Sequence, residues 1–385
     1  MEKLIVNNYG SFDVTFAKGK GASMWDINGK KYIDFIAGIG VNSLGHNYKP
    51  LVKAVSKQAK KQIHISNYFL SDIGLKYAEN LLKALGFDRG YFANSGAEAN
   101  EAAIKLARKY GFLNGGEKRK TIVTLESSFH GRTVATLAAT GQDKFHPDCF
   151  APYPQGFKTI KANDYECLKT AFDDTTAALF IECIQGEGGV NLIDSEWAKE
   201  AAKAARAAGA IVMADEVQTG IGRTGSFLAS DELGFEPEVV TLAKGIAGGI
   251  PMGACLFRGK AKDIFEVGDH QSTFAGNPLA CAAAQVVLDT VNDKDFLYEV
   301  TQKGEYIKNV IKTWNVPFVK DIRGKGLMIG IQIDSSLNPF DIKLKCLENG
   351  LCVTTAGSDV IRFLPPLTIS YDEIDCGLKI FKTVL

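Results

Sequence analysis

Ala214-Asp215-Glu216-Val217-Gln218-Thr219-Gly220 closes an apolar run that begins at Ile211, and Leu242-Ala243-Lys244-Gly245 closes a second that begins at Val239. Both runs are short and uncharged until they end, the pattern of strands buried on both faces. Ligands of mostly parallel sheets collect outside the carboxyl ends of the strands, so the Asp215 carboxylate and the Lys244 amine share one site. A buried Asp215 would keep a pyridine nitrogen protonated through a charge-assisted hydrogen bond, leaving the ring electron-poor enough to absorb a carbanion's electrons. Lysine ionises at about 10.4 in model peptides, so Lys244 must lose a proton before attacking an aldehyde; released again from the Schiff base, it can move protons. Pyridoxal 5′-phosphate carries both the nitrogen and the aldehyde. A lysine after a strand is otherwise a solvated loop residue, but Gly245, Gly248, Gly249 and Gly253 around this one mark close backbone approach.

The cofactor's phosphate calls for a helix N-terminus. After a short strand around Tyr91-Phe92-Ala93, Asn94-Ser95-Gly96-Ala97 opens a stretch with apolar residues at helical spacing: Ala99, Ala102, Ala103, Leu106 and Tyr110. Ser95 is the expected N-cap, and Ser95, Gly96 and Ala97 can offer backbone N–H groups to an anion. A third segment, Ser128-Phe129-His130-Gly131-Arg132-Thr133, follows the β-rich run 121–125. Phe129 can lie on a ring, and Arg132 can fork onto a carboxylate.

Helical patterns over 50–62, 72–85, 97–110 and 196–208 alternate with strand patterns over 121–125, 178–181, 211–215 and 239–242. This alternation predicts an α/β fold with a mostly parallel sheet. A helix over 279–291 leads into a mixed tail with strands near 318–321, 327–333, 351–354 and 360–363. The tail and the first 45 or so residues are expected to form a small α+β domain.

Composition excludes several classes. The 385 residues are 46% hydrophobic, and 44 basic residues balance 44 acidic ones, which implies neither a nucleic-acid nor a membrane partner. The N-terminus, Met1-Glu2-Lys3-Leu4-Ile5-Val6-Asn7, is too short in its apolar part for a signal peptide, and a cytoplasmic location is expected. Eight cysteines, scattered without a C-x-x-C pair, read as reduced core thiols, not a disulfide framework or zinc site.

Further motifs recur along the chain: Trp25-Asp26-Ile27-Asn28-Gly29, Gln185-Gly186-Glu187-Gly188-Gly189-Val190, Gly222-Arg223-Thr224-Gly225, Ser272-Thr273-Phe274-Ala275-Gly276-Asn277-Pro278 and Arg362-Phe363-Leu364-Pro365-Pro366. With the segments above, they make nearly the whole chain resemble the class III pyridoxal-phosphate aminotransferases, most of all those acting on acetylornithine. The resemblance implies fold type I, with a seven-stranded, mostly parallel sheet in a large domain over 48–276 and a small domain built from 1–47 and 277–385. It implies that Lys244 forms the Schiff base, Asp215 pairs with the pyridine nitrogen and Gln218 bonds the ring hydroxyl. Phe129 stacks on the ring, and Ser95, Gly96 and Ala97 hold the phosphate. Thr273 reaches the phosphate of the neighbouring subunit's cofactor, hence a homodimer with shared active sites. Arg132 takes the α-carboxylate of the acylated ornithine, and Arg362, masked by Glu187 between turns, takes that of glutamate. Tyr9 and Ser272 complete the substrate-binding set.

Within the family the choice of amino donor stays open among N2-acetylornithine, ornithine, succinyldiaminopimelate and 4-aminobutyrate. Ile39 stands where the ornithine branch has a tyrosine. Asn47-Tyr48 and Cys183 depart from the usual pattern, and the stretch Gly10-Ser11-Phe12-Asp13 lacks an arginine often found nearby. A different class is suggested by Gly220-Ile221-Gly222-Arg223-Thr224-Gly225, which fits the dinucleotide pattern G-x-G-x-x-G. No apolar helix opens at its last glycine, and a dehydrogenase leaves Lys244, Ser95 and Phe129 without purpose. A cofactor-free binding protein would lack Lys244 or Asp215, and an aminomutase has no need of two carboxylate arginines.

Overall fold

The computed structural model describes residues 6–385; residues 1–5, which open the N-terminal stretch and the expected 1–47 segment, lie outside the described residues. A seven-stranded sheet runs edge to edge through Arg89–Ala93, Gly253–Phe257, Val239–Leu242, Ile211–Asp215, Thr176–Glu182, Thr121–Leu125 and Phe157–Ile160. From Val239–Leu242 to Phe157–Ile160 all neighbours pair parallel, and Gly253–Phe257 runs antiparallel to both strands beside it. Thr176–Glu182 and Ile211–Asp215 are buried at every position, so they read as continuous apolar runs without alternation.

Two cores flank this sheet. Ile122, Phe180, Met213 and Val239 pack with Ala102, Ala103 and Leu106 of the helix Gly96–Gly115. Their chain neighbours Val123, Leu179, Val212 and Val240 point the other way, into a core with Trp197 and Ala201 of Ser195–Ala207 and Val287 of Pro278–Val291. Each enclosed Leu, Ile or Phe contributes roughly 1.5–3 kcal/mol, so the strand ends project from a rigid floor. Register sets those ends level, with Asp215 opposite both Glu182 and Thr241.

A two-stranded pair, Ile184–Gln185 with Asn191–Leu192, and two four-stranded sheets complete the β-structure. Phe16–Lys20, Ser23–Asp26 and Lys31–Asp34 are joined by Leu351–Cys352, uniting residues near both ends of the chain. In the other, Val360–Phe363 lies between Met328–Ile333 and Thr354–Ala356, so Arg362 sits mid-sheet beside Gly330 and Thr354.

The elements expected at 72–85, 121–125, 211–215, 239–242 and 360–363 occur as Asp72–Leu85, Thr121–Leu125, Ile211–Asp215, Val239–Leu242 and Val360–Phe363. The helix expected over 97–110 continues to Gly115. The strand expected over 351–354 is two strands in different sheets, Leu351–Cys352 and Thr354–Ala356, with Val353 at the crossing. Phe157–Ile160 and Gly253–Phe257 were not anticipated; the second hides at the end of a glycine run.

Candidate active site

A cavity of about 420 Å³ opens at the carboxyl ends of the strands, lined by Ser95, Gly96, Ala97, Phe129, Arg132, Glu182, Asp215, Gln218 and Lys244 among others. Asp215 lies on its floor. Its Oδ2 accepts from Asn100 Nδ2 at 2.8 Å and lies 2.8 Å from His130 Nδ1, while Oδ1 accepts the Val217 N–H at 3.0 Å. A carboxylate only accepts, which assigns the ring hydrogen of His130 to Nδ1. The imidazole is fixed by stacking on Phe180, with ring centres 4.4 Å apart. Three donors thus set the plane of the carboxylate before any ligand arrives.

Lys244 follows its strand by two residues and adopts φ +46°, a left-handed conformation that non-glycine residues keep only where their surroundings enforce it. Burial pulls its amine below the ordinary lysine range, with the charge of Glu187 acting in the opposite sense. Glu182 ends the strand on the far side of Asp215. Burial, and then the charge of Asp215, push its carboxyl well above the usual range, and it accepts the Phe129 N–H at 2.8 Å. The site therefore combines an amine poised to lose its proton with a carboxyl poised to keep one.

Opposite Lys244, the helix Gly96–Gly115 presents its N-terminus to the cavity. Ser95 Oγ accepts from the Glu98 N–H at 3.2 Å, and the first intrahelical bond is that of Ala99 to the Ser95 carbonyl. The N–H groups of Gly96 and Ala97 are left for an anion. The cradle is tight: a Cβ on Gly96 would lie 2.6 Å from Val217 Cγ1, and one on Gly253 would strike the Ser95 carbonyl. Backbone amides, a free amine and a buried carboxylate match the phosphate, aldehyde and ring nitrogen of pyridoxal phosphate, so the residues present fit that group.

The two arginines are held differently. Arg362 is 1% exposed, and its Nη1 donates to Glu187 Oε1, the Gly186 carbonyl and Gln218 Oε1 at 2.8, 2.7 and 2.9 Å. Burial opposes the Glu187 charge, but Arg362 outweighs it and holds that carboxyl below the usual range. Gln218, which lines the cavity, connects it to this pair. Arg132 is exposed on the cavity wall, its guanidinium 4.2 Å from the centre of the Phe145 ring and 5.5 Å from that of Phe129.

Thr273 and Ser272 lie apart from this cluster, on a second cavity of about 600 Å³ with Tyr68, Phe69 and Leu70. Asn94 lines the first cavity and donates to Ser272 Oγ, on the second, at 2.7 Å. Tyr9 is 86% exposed and lines neither. Sequence reasoning gave no role to His130, Asn100, Glu182 or Phe145. Asn100 had left a signal, a polar residue on the same helical face as Ala103 and Ala107. The Gly220–Gly225 loop is no phosphate site: Gly222 is wedged against Val291 and Leu297, and Arg223 is buried, bonding the Leu327 and Pro365 carbonyls. Among the described residues no cluster could hold a metal ion, and no helix is long and apolar enough to cross a membrane.

Comparison with known proteins agrees with this geometry. The model of the family Aminotransferase class-III matches residues 5–385. An acetylornithine aminotransferase of Caldanaerobacter subterraneus subsp. tengcongensis is 44% identical over 386 aligned residues, covering 100% of this chain and 98% of its own. A crystal structure of the ornithine aminotransferase from Toxoplasma gondii superposes with a TM-score of 0.95 at 33% identity, covering 100% of this chain and 93% of that one. An N-acetylornithine aminotransferase from Stenotrophomonas maltophilia superposes at 0.87 with 34% identity, covering 100% and 98%. A carboxylate and a lysine at adjoining strand ends, an amide-lined cup and two arginines thus occur in a chain alike over its full length to aminotransferases of the pyridoxal-phosphate-dependent fold type I, and the chain belongs to the class III aminotransferases.

Proposed function

We propose that the protein moves the terminal amino group of N2-acetylornithine to 2-oxoglutarate, giving N-acetylglutamate 5-semialdehyde and glutamate, as a cytoplasmic step in arginine biosynthesis. The observation that carries this reading is the pair of unlike arginines around one lysine. A long donor must present its terminal amine with its α-carboxylate far away, whereas glutamate presents the α-amine with a carboxylate on either side. Arg132, with no carboxylate to displace, suits the first; Arg362, covered by Glu187, suits the second. The 44% identity to an acetylornithine enzyme supports the choice of donor.

Pyridoxal phosphate, when bound, would supply the aldehyde that accepts the amino group and the ring that draws electrons from the carbon bearing that group. Ser95, Gly96 and Ala97 would hold its phosphate, Phe129 its ring face, Gln218 its hydroxyl and Asp215 its nitrogen. Lys244 would anchor it through its amine and would hold the proton taken from the carbon bearing the amino group. Its lowered pKa leaves more free amine at neutral pH than an ordinary lysine has. Asn100 and His130 aim Asp215, and Glu182 fixes Phe129 through its backbone. Glu187 covers Arg362 during the donor half-reaction, because an unpaired buried guanidinium is costly.

We read residues 48–276 as the large cofactor-binding domain and 1–47 with 277–385 as the small one. We further read the second cavity, with exposed Tyr68, Phe69, Leu70 and Phe274 around it, as the surface that meets a second copy and carries Thr273 to the partner's cofactor. Ser272 and Tyr9 belong to the substrate path on this reading.

The test is the visible absorption of purified holoenzyme on adding N2-acetylornithine without any keto acid. Bleaching by N2-acetylornithine and not by ornithine is expected. Bleaching by ornithine or 4-aminobutyrate instead would change the donor, and an enzyme with no visible band after added pyridoxal phosphate would refute the reading of Lys244.

A further inference from the structure

Arg132 and Arg362 differ in more than exposure. Arg89, Arg206, Arg323 and Arg362 are the arginines with an ion-paired carboxylate among the described residues, and Arg132 is not one of them. What holds Arg132 is an aromatic corner. Phe145 lies under its guanidinium at 4.2 Å, and Phe129 meets Phe145 edge-on, with ring centres 5.5 Å apart and planes at 72°. Phe145 ends a short turn fastened to the segment that carries Phe129. The Ser127 N–H donates to the Gly141 carbonyl at 2.7 Å, the Gly141 N–H to Ser128 Oγ at 3.0 Å and Gln142 Nε2 to the Ser128 carbonyl at 3.0 Å. The turn that carries the ring is therefore fastened by bonds that do not involve Arg132. Lys144 brings a second cation to the same ring, at 5.0 Å.

A guanidinium held by a ring face is fixed in plane without spending any of its five N–H donors. One held by a carboxylate must lose that partner before it can bind another. The ring-held arginine lies on the cavity wall, ready for an anion, and the carboxylate-held one lies behind it, joined through Gln218.

We propose that Phe145 is the positioning residue for recognition of the remote α-carboxylate of the amino donor: it pre-orients Arg132 and so favours donors carrying that group over amines that lack it. This rests on the reading of Arg132 as the donor's carboxylate site. The experiment titrates the visible band of holoenzyme with N2-acetylornithine, and separately with glutamate, to obtain a half-saturation constant for each half-reaction. Phe145→Leu should weaken N2-acetylornithine roughly three- to tenfold and glutamate by less than about twofold, and Phe145→Tyr, which keeps a ring face, should stay near wild type. In an Arg132→Ala background Phe145→Leu should add nothing further. Equal weakening of both substrates, an unchanged N2-acetylornithine constant, or the same increment without Arg132 would overturn the assignment while leaving Arg132 in place. If Arg132→Ala itself leaves N2-acetylornithine unaffected, the pocket reading falls and this assignment with it.

Discussion

Lys244 and Glu182 are neighbours whose ionisation is displaced in ways that make proton-holding useful. Lys244→Ala should lower turnover by more than about a thousandfold while leaving the far-ultraviolet circular dichroism intact; wild-type turnover would remove the lysine from the mechanism. Because burial pulls the Lys244 amine down, uptake of pyridoxal phosphate by apoenzyme should reach half its maximal rate at a pH below the ordinary lysine value of about 10.4, measured by stopped-flow absorbance. Glu182 runs the other way. Its folded carboxyl is raised, so its stabilising contribution is complete below the ordinary carboxylate value of about 4.3 and is lost as pH climbs toward the raised value. Apoprotein carrying Glu182→Gln should therefore gain melting temperature over wild type as pH goes from about 4 to 8, by a few degrees at the upper end. A constant difference across that range would mean that the carboxyl is not held neutral.

At the scale of elements, the helix Gly96–Gly115 packs against Val217, just beyond the strand Ile211–Asp215, through a contact that only glycine allows. Gly96→Val should weaken retention of pyridoxal phosphate roughly tenfold, by equilibrium dialysis, and, because the added side chain runs into Val217, lower the melting temperature of the apoprotein by a few degrees. Why some elements were legible and others were not follows from the same geometry. Ile211–Asp215 and Val239–Leu242 announce themselves because strands buried on both faces carry no charge until they end, and the first charged residues met there, Asp215 and Lys244, are those of the site. Gly253–Phe257 was illegible because its glycine is demanded by the Ser95 carbonyl across the sheet, a long-range reason that no local pattern carries. The corner around Arg132 escaped for a related reason: Phe145 sits on a single turn with no periodicity, and only tertiary hydrogen bonds bring it to Phe129. Arg132 and Arg362 could be read from type and setting, whereas the unlike way in which they are held could not.

For the whole molecule, the exposed aromatic and aliphatic side chains around the second cavity are expected to bury on dimerisation. Leu70→Glu should shift sedimentation from dimer to monomer at micromolar concentration and, by removing Thr273 from the partner's cofactor, speed loss of pyridoxal phosphate. A dimeric variant would move the interface elsewhere. The sheet itself carries a consequence for how the chain is made. Arg89–Ala93 is an edge strand whose one neighbour is Gly253–Phe257. On the ribosome it waits unpaired while the intervening residues are translated, roughly ten to thirty seconds at about 5–20 residues per second. Throughout that interval its bare backbone is open to other nascent chains, and the turn just after it has no wall to close against. The newborn chain can thus grip its cofactor only after residue 257 of 385 has emerged.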